Sequence, residues 1–530
     1  MTPLITAEEI FPVMEQEILA ASRSIMLSLH VFSPRTNTRS QEAHKKTLLN
    51  WGELIADALS RGVRVRILLN EFDPVGVSDF HAQIWERMAF LDEALKAVDE
   101  PALNRLRVMI ALPGGQTGYM LRSALWPVVW TMQRDAIAQY NEQGRAIPPG
   151  LRQASQSSFT LWPPRRNFTQ ALHQKFLICD NKVAIVGGLD VDERRFDDPA
   201  HRRNGNQTWH DVSVRAGERE ARQLAAHFCR CWRMVSRYGT SFSDQYMAAN
   251  PACRIRFVHA KAQPLKAPKA RIADAAGPVV ATMGAPNIGA FSFGPSRYDR
   301  SLELAHYDLI GKARQLIYIE SQYLRSTAMR DALTARMGDN PDLHTIVLLP
   351  SAPDVVAFKN DKSSIHRYGE WLQMRALDRL SQLFPDRFAA YCLTNDRDQQ
   401  EHGERDALYG KAMVYIHSKV IIADQSAAIV SSANLNGRSM EWDYEAGIYA
   451  RDGGFADELR QRLWRNHLGE DAAKLSTDLD APAWFHLWRQ SAQERETKAQ
   501  NTARVGIVPF PIERTRRFSK RHLFYPQQMV

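Results

Sequence analysis

With 530 residues the chain is too long for one ordinary hydrophobic core, so two packed halves are expected. Its 44% hydrophobic and 24% charged residues argue against an intrinsically disordered chain, and its net charge of +9, with a pI near 9.3, points to an anionic partner, a membrane surface or a nucleic acid. Five cysteines without C-x₂-C spacing indicate neither a disulfide framework nor a zinc site, and no apolar stretch reaches membrane-spanning length.

The N-terminus lacks the basic and apolar regions of a cleaved signal. The expected location is therefore the cytoplasm or a membrane periphery, or a site reached by export without a cleaved signal. Residues 7–21 read as an amphipathic helix, 24–32 as a strand, 51–61 as a helix ended by Gly62, and 63–70 as a second strand. Strand, helix, strand is the pattern of an α/β unit. Residues 113–170 read as a loop-rich insertion. It carries an apolar run, Y-M-L-R-S-A-L-W-P-V-V-W over 119–130, read as a lid or a membrane-touching wedge, with a locally packed helix as the plainer alternative.

Next comes A-L-H-Q-K-F-L-I-C-D, which places His173, Lys175 and Asp180 at H-x-K-x₄-D spacing. Residues 265–285, rich in Ala, Pro and Gly, read as a linker between a first half over 1–264 and a second over 286–503. The element order then returns: helix 307–315, strand 316–320, helix 328–337, strand 344–349. It leads to Y-I-H-S-K-V-I-I-A-D, where His417, Lys419 and Asp424 repeat the spacing. Each motif is followed by a small-small-x-Asn/Asp tetrapeptide, Gly187-Gly188-Leu189-Asp190 and Ser431-Ser432-Ala433-Asn434. One copy alone would be a weak signal. Two copies with matching surroundings read as an internal duplication. The last segment, 504–530, mixes Arg514, Arg516, Arg517, Lys520 and Arg521 with Phe518, Phe524 and Tyr525. It suits an anionic lipid surface or a single-stranded nucleic acid, or a tail folded across the surface.

On a strand, positions i and i+2 share a face, so each His stands beside its Lys at the exposed end of a buried strand. Two such pairs facing one another form a cationic pocket for phosphate. One neutral imidazole can attack phosphorus while the other, protonated, donates to the leaving oxygen; water or an alcohol then opens the covalent phosphohistidine. Lys175, Lys419 and Asn434 are expected to hold the non-bridging oxygens, with Ser432 and Gly188 completing the phosphate site. Asp180 and Asp424 belong to the motif's catalytic set. Their odd offset of seven turns them to the opposite face, however, and a role bracing the turn is favoured. Asp211 in W-H-D-V and Glu445 in W-D-Y-E-A-G are the carboxylates placed to orient the histidines. No metal or other cofactor is expected, since lysines supply the positive charge.

The duplicated H-x-K-x₄-D motif resembles that of the phospholipase D superfamily. The regions H-Q-K-F-L-I-C-D-N-K-V-A-I-V-G-G-L-D, R-R-F-D, W-H-D-V, I-Y-I-E-S-Q-Y-L and I-H-S-K through E-A-G-I are similar to those of its eukaryotic branch and their bacterial relatives. The resemblance implies two α/β sandwich halves with mixed, mainly parallel sheets flanked by helices. They are related by a pseudo-twofold axis, with the active site at their interface. It also implies His173 as nucleophile and His417 as acid. Ser431-Ser432 departs from the family's usual Gly-Ser, and Gly188 and Asp190 stand where other branches have Ser and Asn. That asymmetry suggests that the second half holds the phosphate. The expected activity is hydrolysis of a glycerophospholipid to phosphatidic acid and head group, with transphosphatidylation. A cardiolipin synthase-like phosphatidyltransferase is the alternative, a nucleic-acid phosphodiesterase ranks third, and a catalytically idle membrane-binding protein ranks last. The expected partners are a phospholipid substrate and an anionic membrane surface rather than nucleic acid, and one chain carrying both motifs is expected to act as a monomer.

Overall fold

The computed structural model describes residues 1–151, 167–203, 205–258, 277–287, 289–396, 405–476, 478–497, 504–523 and 525–530. The first half is built on a seven-stranded sheet: β1 (Thr2–Ile5), β2 (Ser24–Leu29), β3 (Arg64–Asn70), β4 (Leu106–Ala111), β5 (Phe176–Cys179), β6 (Val183–Gly187) and β7 (Val212–Ala216), in the order β1-β7-β6-β5-β2-β3-β4. The second sheet comprises β8 (Val279–Ala285), β9 (Ser296–Asp299), β10 (Leu316–Glu320), β11 (His344–Leu348), β12 (Phe388–Asn395), β13 (Ala407–Leu408), β14 (Lys411–Val414), β15 (Val420–Ala423), β16 (Ala427–Ser431), β17 (Glu445–Ala450) and β18 (Val505–Pro509). Its order β12-β11-β10-β15-β16-β17-β8 repeats the first sheet strand for strand.

Alternation along the strands sends side chains to two apolar layers. Ile25 and Leu27 share an apolar layer with first-half helices such as Thr6–Ala20 and Trp51–Ser60, and Ile317 and Ile319 with second-half helices such as Ser301–Lys312 and Thr327–Asp339. Phe176, Val186, Tyr318, Val430 and Ala446 pack in a second layer with the helices Glu218–Tyr238 and Gly453–Leu468. This second layer runs unbroken through both halves and joins them along β6, β7, β16 and β17. The sheets are mixed, as expected, but most of their pairings are antiparallel rather than parallel. Only β2-β3-β4 and β10-β11-β12 run parallel. The H-x-K strands continue through short turns into the next strand, and a short hairpin can only join antiparallel neighbours.

Those turns decide the role of Asp180 and Asp424, which sit at φ +56° and +53°. Asp180 accepts hydrogen bonds from the backbone N–H groups of Ser22, Arg23 and Ser24, and Asp424 from those of Arg314, Gln315 and Leu316. Each pins the start of the neighbouring strand, β2 or β10. The strands Phe176–Cys179 and Val420–Ala423 lie between these aspartates and their histidines, and the carboxylates are taken up by backbone donors at the far strand end, so their role is to brace the turn. Asp424→Ala is expected to leave kcat within about threefold of the parent while costing about 2 kcal/mol in stability, because three backbone donors lose their acceptor. Parallel kinetics and urea denaturation check this.

Two segments differ from expectation, and the final one takes the last of the readings given for it, a tail folded across the surface. The part of the expected linker that is described is not a linker: Val279–Ala285 is β8, paired with β17, and residues 265–276 lie outside the described residues. Small residues conceal this strand from composition, because close packing rather than side-chain bulk holds it. The final segment is part of the second half. There β18 pairs with β12, the helix Ile512–Phe518 packs on the helix Ser364–Leu383, and Arg516 pairs with Asp378. Phe524 lies outside the described residues. In the insertion, Tyr119–Glu142 forms one helix of 24 residues rather than loops, and residues 152–166 lie outside the described residues. Among the described residues no helix is long and apolar enough to cross a membrane.

Candidate active site

The backbone ahead of each H-x-K strand crosses to the other half. His173 N–H donates to Tyr444 O (3.0 Å) while Tyr444 N–H donates to Ala171 O (2.9 Å); His417 N–H donates to His210 O (2.8 Å) while His210 N–H donates to Tyr415 O (2.9 Å). Tyr444 and His210 each precede a carboxylate. This parallel pairing sets Glu445 against His173, with Nδ1 to Oε1 at 2.8 Å, and Asp211 against His417, with Nδ1 to Oδ2 at 2.7 Å. Each histidine is therefore held by the opposite half. A carboxylate acceptor keeps the proton on Nδ1 and leaves Nε2 as the reactive nitrogen.

Lys175 Nζ donates to His173 O (2.5 Å), and Lys419 Nζ donates to His417 O. Burial lowers both histidines well below the usual imidazole range, and the lysine charges add to it, with Lys419 acting on His173 and Lys175 on His417. The two pairs thus share one electrostatic site. Burial also lowers Lys419 to about 7 and raises Asp211 to about 6 and Glu445 to about 7. Such values put proton exchange within reach at neutral pH. The side chain of His173 is 16% exposed and that of His417 6%.

The expected phosphate set divides. Asn434 is buried, its Nδ2 donating to Gln322 Oε1 (3.1 Å). Ser432 and Gly188 have other tasks. Ser432 Oγ donates to Glu445 Oε2 (2.5 Å) and accepts from Ala446 N–H, so it positions the carboxylate. Gly188 N–H donates to Val212 O, and a Cβ there would lie 2.2 Å from Asp211 Oδ1. The residue is glycine because the carboxylate holding His417 occupies that space.

Asp190, Trp209 and His30 also shape the site, the first two from stretches that the sequence singled out without giving their contacts. Asp190 Oδ2 is ion-paired with Arg195 and lies 4.0 Å from Lys175 Nζ, while its Oδ1 accepts from Val31 N–H. Although burial opposes it, these cations hold Asp190 far below the usual carboxylate range. The first half thereby neutralises its own cations, whereas the second half has neutral Asn434 at the same place. The Trp209 ring lies over His417 with centroids 4.6 Å apart, and the His30 ring meets His173 edge-on at 4.8 Å. Trp209 is the first residue of the W-H-D-V stretch, but nothing in sequence spacing singles out His30.

Among the described residues, one His/Glu group has its ligand-type atoms all within 4.8 Å: His210, Glu320 and His467. Glu320 already accepts from His210 Nε2, His467 Nε2, Ser418 Oγ and Tyr318 OH, which fills its four acceptor sites. An imidazole that holds a metal normally donates its other N–H, and neither Nδ1 here has a partner among the described residues. The group is a hydrogen-bonded network.

Residues 307–466 match a family described as "Cardiolipin synthase, PLD-like domain". Phospholipase D zeta 1 of Arabidopsis thaliana is 25% identical over 286 residues, covering 45% of this chain and 26% of that protein. Human phospholipase D1 is 25% identical over 348 residues, covering 54% of this chain and 30% of that protein. The chain thus spans less than a third of these relatives' length. Among solved structures, the phosphatidylserine synthase of Haemophilus influenzae aligns with 87% of this chain and 86% of its own at a TM-score of 0.48 and 9% identity.

Proposed function

Because the chain belongs to the phospholipase D superfamily, we propose that it breaks the head-group phosphodiester of a glycerophospholipid through a covalent phosphohistidine. The products are phosphatidic acid and the free head group. The observation that carries this reading is the crossed pair of histidines, each with Nδ1 on a buried carboxylate of the other half and a lysine alongside. His173, the more exposed, attacks phosphorus through Nε2. The bond to the head-group oxygen breaks as His417, which enters this step as the imidazolium paired with the Asp211 carboxylate, gives that oxygen its Nε2 proton. His417 then takes a proton from water, whose oxygen displaces His173 from phosphorus. Lys175, Lys419 and the Asn434 amide stabilise the charge on the non-bridging oxygens.

A phosphatidyltransferase is the second reading, favoured by the cardiolipin synthase description of the family matched over 307–466. It differs only in the acceptor, an alcohol in place of water. Mass spectrometry of products from mixed phosphatidylethanolamine, phosphatidylcholine and phosphatidylglycerol vesicles, with and without glycerol, tests both. Phosphatidic acid supports the hydrolase, and a phosphatidyl-alcohol dominating at low alcohol supports the transferase. Intact lipid beside cleaved single-stranded DNA overturns both.

The charge of Lys419 sets a pH dependence. With its pKa lowered to about 7, it is a cation below that pH and neutral above it. Asp211 and Glu445, raised to about 6 and about 7, become the carboxylates that the histidines need over the same range, so kcat/KM for a monoanionic diester is expected to peak near pH 7 and to fall on both sides, and a flat profile from about pH 5 to about pH 9 would contradict this.

The proposed partner is a membrane surface, met by the helix Tyr119–Glu142. Leu125, Val128 and Met132 are exposed along it, and Phe291 is 69% exposed in the neighbouring loop, which accepts hydrogen bonds from Gly118 and Met120 at the helix start. Gly115, four residues ahead of this helix, donates to Gln170 Oε1, three residues before His173, which ties the start of the helix to the strand that carries the site. Replacing Leu125, Val128 and Phe291 together by serine is expected to weaken binding to phosphatidylglycerol vesicles about tenfold or more. Turnover of a short-chain lipid below its micelle concentration should stay unchanged. Vesicle cosedimentation and soluble-substrate kinetics give the two readouts.

A further inference from the structure

The middle residue of each H-x-K stretch, Gln174 or Ser418, points away from the reactive pair and is fully buried. Behind these residues the two halves differ. In the first, Gln174 Nε2 donates to Ser28 Oγ (2.9 Å), and its Oε1 accepts from His227 Nε2 (2.7 Å). Burial lowers His227 to about 3, so these three side chains are neutral near pH 7. In the second, Ser418 Oγ donates to Glu320 Oε2 (2.6 Å). That carboxylate also accepts from His210 Nε2 (3.0 Å), His467 Nε2 (2.8 Å) and Tyr318 OH (2.7 Å).

Ser28 and Glu320 are counterparts. Ser28 pairs with Phe176, three residues past His173, and Glu320 with Val420, three residues past His417. A neutral hydroxyl in one half is therefore a buried carboxylate in the other. Burial alone would raise Glu320, but the charge and hydrogen bond of His210 and the hydrogen bond of His467 hold it well below the usual carboxylate range. An ion in this position is costly to bury unless its partners are complete.

His210 closes the arrangement into a ring. Its carbonyl accepts from the N–H groups of His417 (2.8 Å) and Ser418 (3.1 Å), and its imidazole binds the carboxylate that holds the Ser418 hydroxyl. Main chain and side chain of this stretch are gripped together. In the first half, Tyr444 supplies the matching carbonyl to His173, and its ring joins the apolar layer instead.

We infer that the His210–Glu320–His467 network is a positioning device for His417, holding that histidine rigidly as the proton donor and acceptor while His173 carries the covalent phosphate. This rests on the two-histidine reaction proposed above. Proton transfer is sensitive to small misplacements of the donor, and the Trp209 ring over His417 limits its movement from another side. His210, Glu320 and His467 touch no reacting atom and act through the strand.

The test compares two substrates with the same phosphatidyl group in detergent micelles. Phosphatidylcholine has an aliphatic leaving oxygen that needs a proton, and phosphatidyl-p-nitrophenol has one that does not. For Glu320→Gln, kcat on phosphatidylcholine is expected to fall about tenfold or more with KM within about twofold. On phosphatidyl-p-nitrophenol the first p-nitrophenol release stays near the parent rate. Opening of the adduct slows, and mass spectrometry after an alkaline denaturing quench finds the phosphatidyl group on the His173 peptide. Ser418→Ala keeps the carboxylate and imidazoles together but cuts their link to the strand, and it should repeat the pattern more weakly. It carries the test alone if Glu320→Gln does not fold. Equal losses on both substrates without an adduct, or no loss on either, overturn the inference. Failure of the unsubstituted protein to cleave either lipid overturns instead the reaction on which the inference rests.

Discussion

Replacing His173 by alanine is expected to lower phospholipid cleavage by about four orders of magnitude, and His417→Ala to lower it comparably on substrates with an aliphatic head group. The two residues act in one bond-breaking event, so their losses should not add. The double variant is expected to lie within about tenfold of the worse single variant. Full additivity in log kcat would mean that the two motifs serve separate sites. The distinction follows from the electrostatics, because Lys419 depresses His173 and Lys175 depresses His417, which requires both pairs in one electrostatic site. Single-turnover kinetics on all three variants, with circular dichroism to check folding, measures this.

Glu445→Gln is expected to cost about a hundredfold to a thousandfold in kcat with little change in KM. Glu445 accepts from His173 Nδ1 through one oxygen and from Ser432 Oγ through the other. An amide has only one oxygen. One of the two contacts must then face an N–H₂ group, and His173 is released to the tautomer that carries its proton on Nε2, where it cannot attack. Asp211→Asn should act in the same way on His417, the residue it holds from the opposite half. The informative readout is the KM-against-kcat split, because a merely loosened fold would move both. A loss in KM alone would show that Glu445 serves substrate binding and leaves the histidine tautomer to something else.

Much of this protein could be read from local rules. The two-residue period of a strand places His and Lys on one face and turns the aspartate seven residues later to the other. Asp180 and Asp424 accordingly brace turns far from the histidines, and their place in the motif says nothing about contact with substrate. Apolar periodicity gave β10 over Leu316–Glu320 with the bounds the structure has and the helix after it within two residues, whereas the helix before it, read as 307–315, runs from Ser301 to Lys312. Asp211 and Glu445 were also legible as candidates, because a histidine poised for chemistry needs a carboxylate and these stand in the right stretches.

What the local rules could not reach depends on strand register between distant segments. That Glu445 serves His173 and Asp211 serves His417 follows from two short parallel bridges, Leu172 with Tyr444 and His210 with Ile416, that cross between the halves. The tasks of Ser432 and Gly188 follow from strand pairing within each half, β16 with β17 and β6 with β7, which sets each against the carboxylate of its own half. The strand Val279–Ala285 looked like a linker because its small residues are chosen for close approach to β17, a contact invisible without the fold. The sequence by itself determined which side chains stand together along one strand, because neighbouring residues obey a fixed period. Only the tertiary structure decided which half each of them serves, because that pairing joins segments more than two hundred residues apart.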